Sequence, residues 1–196
     1  MTYINMKSQS EIIKELKNLL PAKRFRHSIG VMETAEKLAK IYKADKERAC
    51  LAGLLHDCSK YMTGNEMICF LKDRGIDSDA DSIASGSGLL HAEVSMFLAS
   101  ENYGVNDPEI LSAILCHTLG KEDMSLIDKI IFISDYIEPE RDFGSVDKLR
   151  KSARKNLDRA IIEAINSTLI HLTKENKIIH PKLLVTRNAI LRNVGL

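Results

Sequence analysis

The chain has 196 residues, of which 44% are hydrophobic and 28% are charged, so it is long enough for one domain with a buried core. Its net charge of +1 argues against a broad nucleic-acid surface, and we expect no nucleic-acid polymer as a partner. The sequence has no apolar run of the ~20 residues that a membrane span needs, and its N-terminus lacks a signal-peptide core. We therefore expect a cytoplasmic protein without a membrane partner.

Helix signals recur along the whole sequence, whereas the alternating pattern of strands is absent. Side chains that cap helix N-termini, and Pro or Gly residues that end helices, divide the chain into segments. In chain order the predicted helices run from Ser8 or Ser10 to Pro21, then over 22–42, 46–57, 64–74, 89–103, 108–119 and 126–138. Two or three more helices follow, and a long one covers about 157–176. The polar stretch 76–88 is predicted to be a loop.

The fold class predicted from these segments is all-α, as a helical bundle in a single domain. Repeats, low-complexity segments and linkers are absent from the sequence. The four cysteines form no C-x-x-C pair, which argues against a zinc ribbon or a thioredoxin-like motif. We expect them to be small buried residues.

Six residues of metal-binding type stand where the helical periodicity predicts a buried side chain, or directly beside such a position. They are His27, His56, Asp57, His91, His117 and Asp135. A lone inward-facing histidine is more often a satisfied core residue. A buried carboxylate is very costly without a partner, so a set drawn from five helices favours a shared metal ion. Imidazole together with carboxylate suits iron, manganese or zinc. His171 is expected to be structural, and His180 is a weak candidate for a ligand contact.

The order of His27, His56-Asp57 and Asp135 resembles the HD-domain superfamily, and His91 and His117 match the extra histidines of its two-metal members. The longer segments RFRHSIGVMETAEKLA, AGLLHDCSK, AILCHTLGKEDMSLIDKIIFISDYIEPERDF and TRNAIL are similar to the YqeK family. Its members are HD-domain hydrolases that split diadenosine tetraphosphate symmetrically into two ADP. The resemblance covers about 16–191.

The resemblance implies a ligand set and a division of the chain. A first metal would be held by His27, His56, Asp57 and Asp135, and a second by Asp57, His91 and His117. With one metal, His91 and His117 would face the substrate phosphate. The expected cofactor is iron, as one or two ions, with manganese or another divalent metal as alternatives. A core at about 16–140 would be completed by C-terminal helices at about 145–193, which finish the nucleotide pocket.

The expected reaction is attack of a metal-bound hydroxide on a phosphorus atom of the substrate, with Asp57 and Lys60 as catalytic residues. The departing ADP is a stable anion and needs little acid catalysis. Arginine and lysine suit phosphate oxygens, and the SGSG turn at 85–88 could offer backbone N–H groups to phosphate. The residues expected to contact substrate are Arg24, His27, Lys60, His91, His117, Arg141 and Arg187.

Two other functions are compatible with the sequence. The chain could be a different HD-domain phosphohydrolase, acting on a nucleoside mono- or triphosphate or on a cyclic dinucleotide. It could also be a nucleotide-binding regulator that keeps the metal as a structural element. The presence of all six candidate ligands and of Lys60 argues against a regulatory protein without catalytic activity. The sequence leaves the oligomeric state open, with a homodimer as one option.

Overall fold

The computed structural model describes residues 5–85 and 88–194, which form eleven α-helices and no strand. In chain order these helices are α1 (Gln9–Leu19), α2 (Ala22–Tyr42), α3 (Lys46–Leu55), α4 (Gly64–Lys72), α5 (Ala80–Ala84), α6 (His91–Tyr103), α7 (Pro108–Cys116), α8 (Leu126–Ile137), α9 (Val146–Ala153), α10 (Leu157–Lys174) and α11 (Pro181–Val194). The prediction of a single all-α domain is confirmed.

Capping side chains begin several of the helices. Ser8, Thr63 and Ser125 each form a reciprocal capping box with the acidic residue three positions later. Asp45 and Asp107 each accept a hydrogen bond from a backbone N–H of the first turn of α3 and α7. These bonds satisfy backbone donors that have no partner within the helix.

Two helix ends and one loop differ from the sequence-based expectation. Helix α3 ends at Leu55 and α7 ends at Cys116, so His56 and His117 are the C-caps rather than interior residues. The stretch predicted as a loop contains the short helix α5, which Asp79 caps by accepting a hydrogen bond from the Ser82 N–H. The polar composition of the stretch 76–88 obscured the capping signal of Asp79.

Helix α8 lies at the centre of the fold. It packs against α2, α3, α7, α9 and α10. Four consecutive residues, Ile130 to Ile133, are fully buried, so this helix is apolar on nearly all sides. Asp135, in its last turn, is therefore held in the middle of the bundle, beside the ends of α3 and α7.

Within the described residues, none of the helices combines the length and apolar character needed to cross a membrane. Cys50, Cys58 and Cys116 are buried as expected, but Cys69 is exposed. All four are free thiols.

Candidate metal centre

All six candidate ligands converge at one place in the bundle. Five helices deliver them: His27 comes from α2, His56 and Asp57 from the end of α3, His91 from the start of α6, His117 from the end of α7, and Asp135 from α8. The four histidines and Asp57 are buried, and the Asp135 side chain is 19% exposed. The centre therefore opens to solvent on the Asp135 side.

Three side chains form the first half of the centre with one oxygen of Asp57. His27 Nε2 lies 3.1 Å from His56 Nε2 and 3.1 Å from Asp135 Oδ1. Asp57 Oδ2 is 3.7 Å from His27 Nε2 and 3.8 Å from His56 Nε2. Ligand atoms about 2.0–2.2 Å from a common ion stand roughly 3–4 Å apart, so these spacings fit a single cation.

The other oxygen of Asp57 faces the second half. Asp57 Oδ1 is 3.2 Å from His91 Nε2 and 3.7 Å from His117 Nε2. The two imidazole nitrogens are 3.0 Å apart. Asp57 thus presents one carboxylate oxygen to each pair of histidines, the arrangement that a bridging ligand requires.

Hydrogen bonds on the far side of three imidazole rings orient their Nε2 atoms toward the centre. The Nδ1 atoms of His56, His91 and His117 lie 2.7, 2.5 and 2.7 Å from the backbone carbonyl oxygens of Gly53, Gly88 and Ile114. A carbonyl oxygen only accepts, so Nδ1 carries a proton, and in the neutral ring Nε2 then keeps its lone pair. Lone pairs facing each other at about 3 Å repel unless a cation lies between them, so this donor set fits a bound metal ion.

Burial and charge keep four of the six candidate ligands in their metal-binding forms. Burial lowers the pKa of His56, and it lowers the pKa of His117 to about 3, so both imidazoles are neutral near pH 7. Burial opposes ionisation of Asp57 and Asp135, but the neighbouring imidazoles and cations hold both pKa values well below the ordinary range. Neutral imidazole and ionised carboxylate are the forms that bind metals.

Three basic side chains surround the centre. Arg24 Nη1 is 3.4 Å from Asp57 Oδ2, on the surface side. Arg141 donates from Nε to the Asp135 carbonyl oxygen at 2.7 Å, and from Nη2 to the Asp135 carboxylate. Lys60 is half-buried, and burial lowers its pKa, while the charges of Asp57 and Asp135 act in the opposite direction. A polyanion at the centre would meet positive charge on more than one side.

Two adjoining cavities lead away from the centre. One of about 560 Å³ is lined by His117, Asp135, Arg141 and Phe143, among others. A larger one of about 700 Å³ is mostly apolar, with Leu89, Leu172, Ile178 and Leu183 in its wall. Both are bordered by Thr118, Tyr136 and Thr168. The C-terminal helices α10 and α11 thus contribute walls to the space beside the centre.

The remaining candidate residues lie farther from the metal centre. The sequence predicts a structural role for His171. Its side chain is exposed and lines the smaller cavity. His180 lines the larger cavity, with Nε2 3.3 Å from Asp79 Oδ1. Arg187 donates from Nε to Asn166 Oδ1 at 2.5 Å and does not line either cavity. Of the SGSG turn, Gly86 and Ser87 lie outside the described residues.

The sequence reasoning missed two polar side chains at the centre. The Thr118 hydroxyl lies 3.1 Å from His117 Nε2 and 3.3 Å from His91 Nε2. Glu138 is buried and lies with Oε1 3.1 Å from His27 Nδ1. Glu138 follows Asp135 by three residues, so helical spacing alone could have placed it on the same face.

The chain is similar to several known proteins. The HD-domain family model matches residues 24–140, a range that includes all six candidate ligands. A relative from Halalkalibacterium halodurans, named a symmetrical bis(5'-nucleosyl)-tetraphosphatase, is 40% identical over 94% of this chain and 97% of its own length. Relatives of the same name from Bacillus subtilis and Staphylococcus aureus are 35% and 37% identical, over 92% and 91% of this chain and 96% and 91% of their own lengths.

A solved structure agrees with the fold. The crystal structure of a Clostridium acetobutylicum protein, described as a predicted HD superfamily hydrolase involved in NAD metabolism, superposes with a TM-score of 0.93. The two proteins are 39% identical, and the match covers 96% of this chain and all of the other. The chain therefore belongs to the HD-domain family and, within it, to the family of the symmetrical bis(5'-nucleosyl)-tetraphosphatases.

Proposed function

We propose that this chain hydrolyses diadenosine tetraphosphate and related dinucleoside polyphosphates symmetrically, and releases two ADP. The observation that carries the proposal is the convergence of six candidate metal ligands in a chain that matches the symmetrical tetraphosphatases over nearly its full length. The mixed imidazole and carboxylate set is compatible with iron, the cofactor we propose, and also with manganese. A bound divalent cation supplies Lewis acidity and lowers the pKa of a water molecule in its coordination sphere.

The residues of the chain divide into two roles in this proposal. His27, His56, Asp57 and Asp135 hold the first cation, and Asp57, His91 and His117 hold a second. With a single cation, His91 and His117 instead contact a phosphate oxygen of the substrate. Asp57 serves both halves because its two oxygens face different histidine pairs. We infer that the catalytic residues are Asp57 and Lys60.

The basic side chains neutralise the phosphate charge. Arg24 and Lys60 border the centre beside Asp57, and Arg141 borders it beside Asp135. Positive charge held in place before the substrate binds stabilises the negative charge that develops in the transition state. We propose Arg187 as a more distant nucleotide contact from α11. No residue of the chain needs to protonate the departing ADP, since it leaves as a stable anion.

Diadenosine tetraphosphate incubated with metal-reconstituted protein should give ADP as the sole nucleotide product. Chromatography of the products over time checks this, with metal-free protein as the control. AMP and ATP as the main products would contradict the symmetrical cleavage but leave a metallohydrolase. A lack of turnover by the metal-loaded protein, together with retained nucleotide binding, would favour the regulator.

The position of His171 in the wall of the smaller cavity leads to a separate prediction. His171→Ala should raise KM about 2–10-fold, the value of one neutral hydrogen bond to substrate, and leave metal content at the wild-type level. Steady-state kinetics and elemental analysis check both. An unchanged KM would indicate that His171 has the structural role predicted from the sequence.

A further inference from the structure

Glu138 is a buried carboxylate that points at a candidate metal ligand from behind. Its side chain is 2% exposed, and its Oε1 lies 3.1 Å from His27 Nδ1. The other ring nitrogen of His27 faces His56, Asp57 and Asp135. The other three histidines at the centre use a backbone carbonyl oxygen at the corresponding place. His27 thus differs from them in having a carboxylate behind its ring.

The fold leaves a dedicated space for this carboxylate. Gly30 follows His27 by three residues on α2, and a Cβ atom there would come within 2.7 Å of Glu138 Oε2. Such a contact is far shorter than real Cβ atoms make, and Pro139 Cδ would stand at only 3.2 Å. The absence of a side chain at Gly30 is therefore what lets the carboxylate approach α2.

The turn that carries Glu138 is fixed by hydrogen bonds. Glu138 Oε2 accepts from the Glu140 backbone N–H at 2.7 Å. The Arg150 guanidinium donates to the carbonyl oxygens of Ile137, Glu138 and Arg141 at 3.0, 2.9 and 3.0 Å. Both carboxylate oxygens and the surrounding backbone are thus held in place, as positioning of an imidazole ring requires.

We infer that Glu138 is a positioning residue for the metal centre and acts through His27. The carboxylate keeps the proton on His27 Nδ1, fixes the ring orientation and makes Nε2 a stronger electron donor to a cation. Its negative charge also adds to those of Asp57 and Asp135. The inference rests on the metal centre of the proposed function and does not depend on its substrate.

The test measures metal affinity rather than turnover. Metal-free protein is titrated with Mn²⁺, and free Mn²⁺ is followed by its electron paramagnetic resonance signal. Glu138→Gln keeps the size of the side chain and removes its charge, and it should weaken Mn²⁺ binding about 10–100-fold, the usual effect of losing such a partner. Glu140→Gln is the matched control, because Glu140 lies in the same turn but pairs with Arg26 at the surface. Its affinity should equal that of the wild type.

A second variant tests the same contact from the other helix. Gly30→Ala should displace the carboxylate and weaken Mn²⁺ binding in the wild-type background, but it should add little once Glu138→Ala has removed the carboxylate. If the losses of Mn²⁺ affinity caused by Gly30→Ala and Glu138→Ala were additive in the double variant, the inference would be overturned. It would also be overturned by Glu138→Gln protein that melts at a lower temperature without metal yet binds Mn²⁺ as tightly as the wild type, because that result describes a structural residue. Failure of the protein to cleave diadenosine tetraphosphate would leave this affinity result unaffected.

Discussion

Asp57→Ala should lose bound metal and essentially all turnover. Each oxygen of Asp57 faces its own pair of histidines, so a single substitution removes a ligand from both halves of the centre. His91 and His117 would then have no carboxylate beside their Nε2 atoms, and His27 and His56 would keep only Asp135. We expect an activity loss greater than the roughly 1,000-fold that removal of one transition-state donor costs. Metal content by elemental analysis and turnover of diadenosine tetraphosphate are measured on the same preparation.

The control for Asp57 is a buried aspartate elsewhere in the bundle. Asp128 is fully buried and is bound by Lys121 and Ser112, with distances of 2.8 Å to each. Asp128→Asn leaves Lys121 without its ion pair, so it should lower the melting temperature while metal content stays at the wild-type level. An Asp57→Ala protein that retains metal and turns over would refute the bridging role.

Lys60→Met should keep the metal but slow turnover about 10–1,000-fold, from the usual range for removing one charge-stabilising donor. Methionine retains most of the aliphatic length of lysine and removes the charge, so the change isolates the electrostatic contribution. Lys60 is the cleaner probe of this contribution. Arg141 also bonds Asp135, so substituting it would disturb a proposed ligand.

Lys72→Met serves as the control for this variant, because Lys72 is exposed on α4, a helix that supplies none of the candidate ligands. It should behave as wild type in both metal content and kcat. A Lys60→Met protein that has lost its metal would assign Lys60 to the integrity of the centre rather than to phosphate charge. An unchanged kcat would remove Lys60 from the catalytic residues.

The helical architecture can be predicted from the sequence alone, since helix signals act over three or four residues. Ser8, Thr63 and Ser125 each form a capping box, in which the capping side chain and its backbone partners lie within one turn. The short helix α5 was missed although the same kind of local cap begins it. Helical periodicity also placed the six candidate ligands on the inner side of the bundle.

The tertiary structure alone decided how those ligands face one another. Periodicity orients a residue toward the core, but it does not say which ring nitrogen of a histidine points into the centre or which oxygen of Asp57 faces which pair. Those orientations depend on how the ends of α3 and α7 and the start of α6 meet. The placement of His171 in a cavity wall likewise depends on how α10 lies beside α8.

The contact between His27 and Glu138 shows why the sequence predicts the helices but not the contacts between them. The two residues are 111 positions apart in the chain, and they meet because α2 packs against α8 at a glycine. A pattern of local spacing contains no information about such a pair, because the pairing is set by packing between helices rather than by hydrogen bonds within one. The sequence alone therefore identified the six candidate ligands, and the packing of the helices decided which atoms meet at the centre.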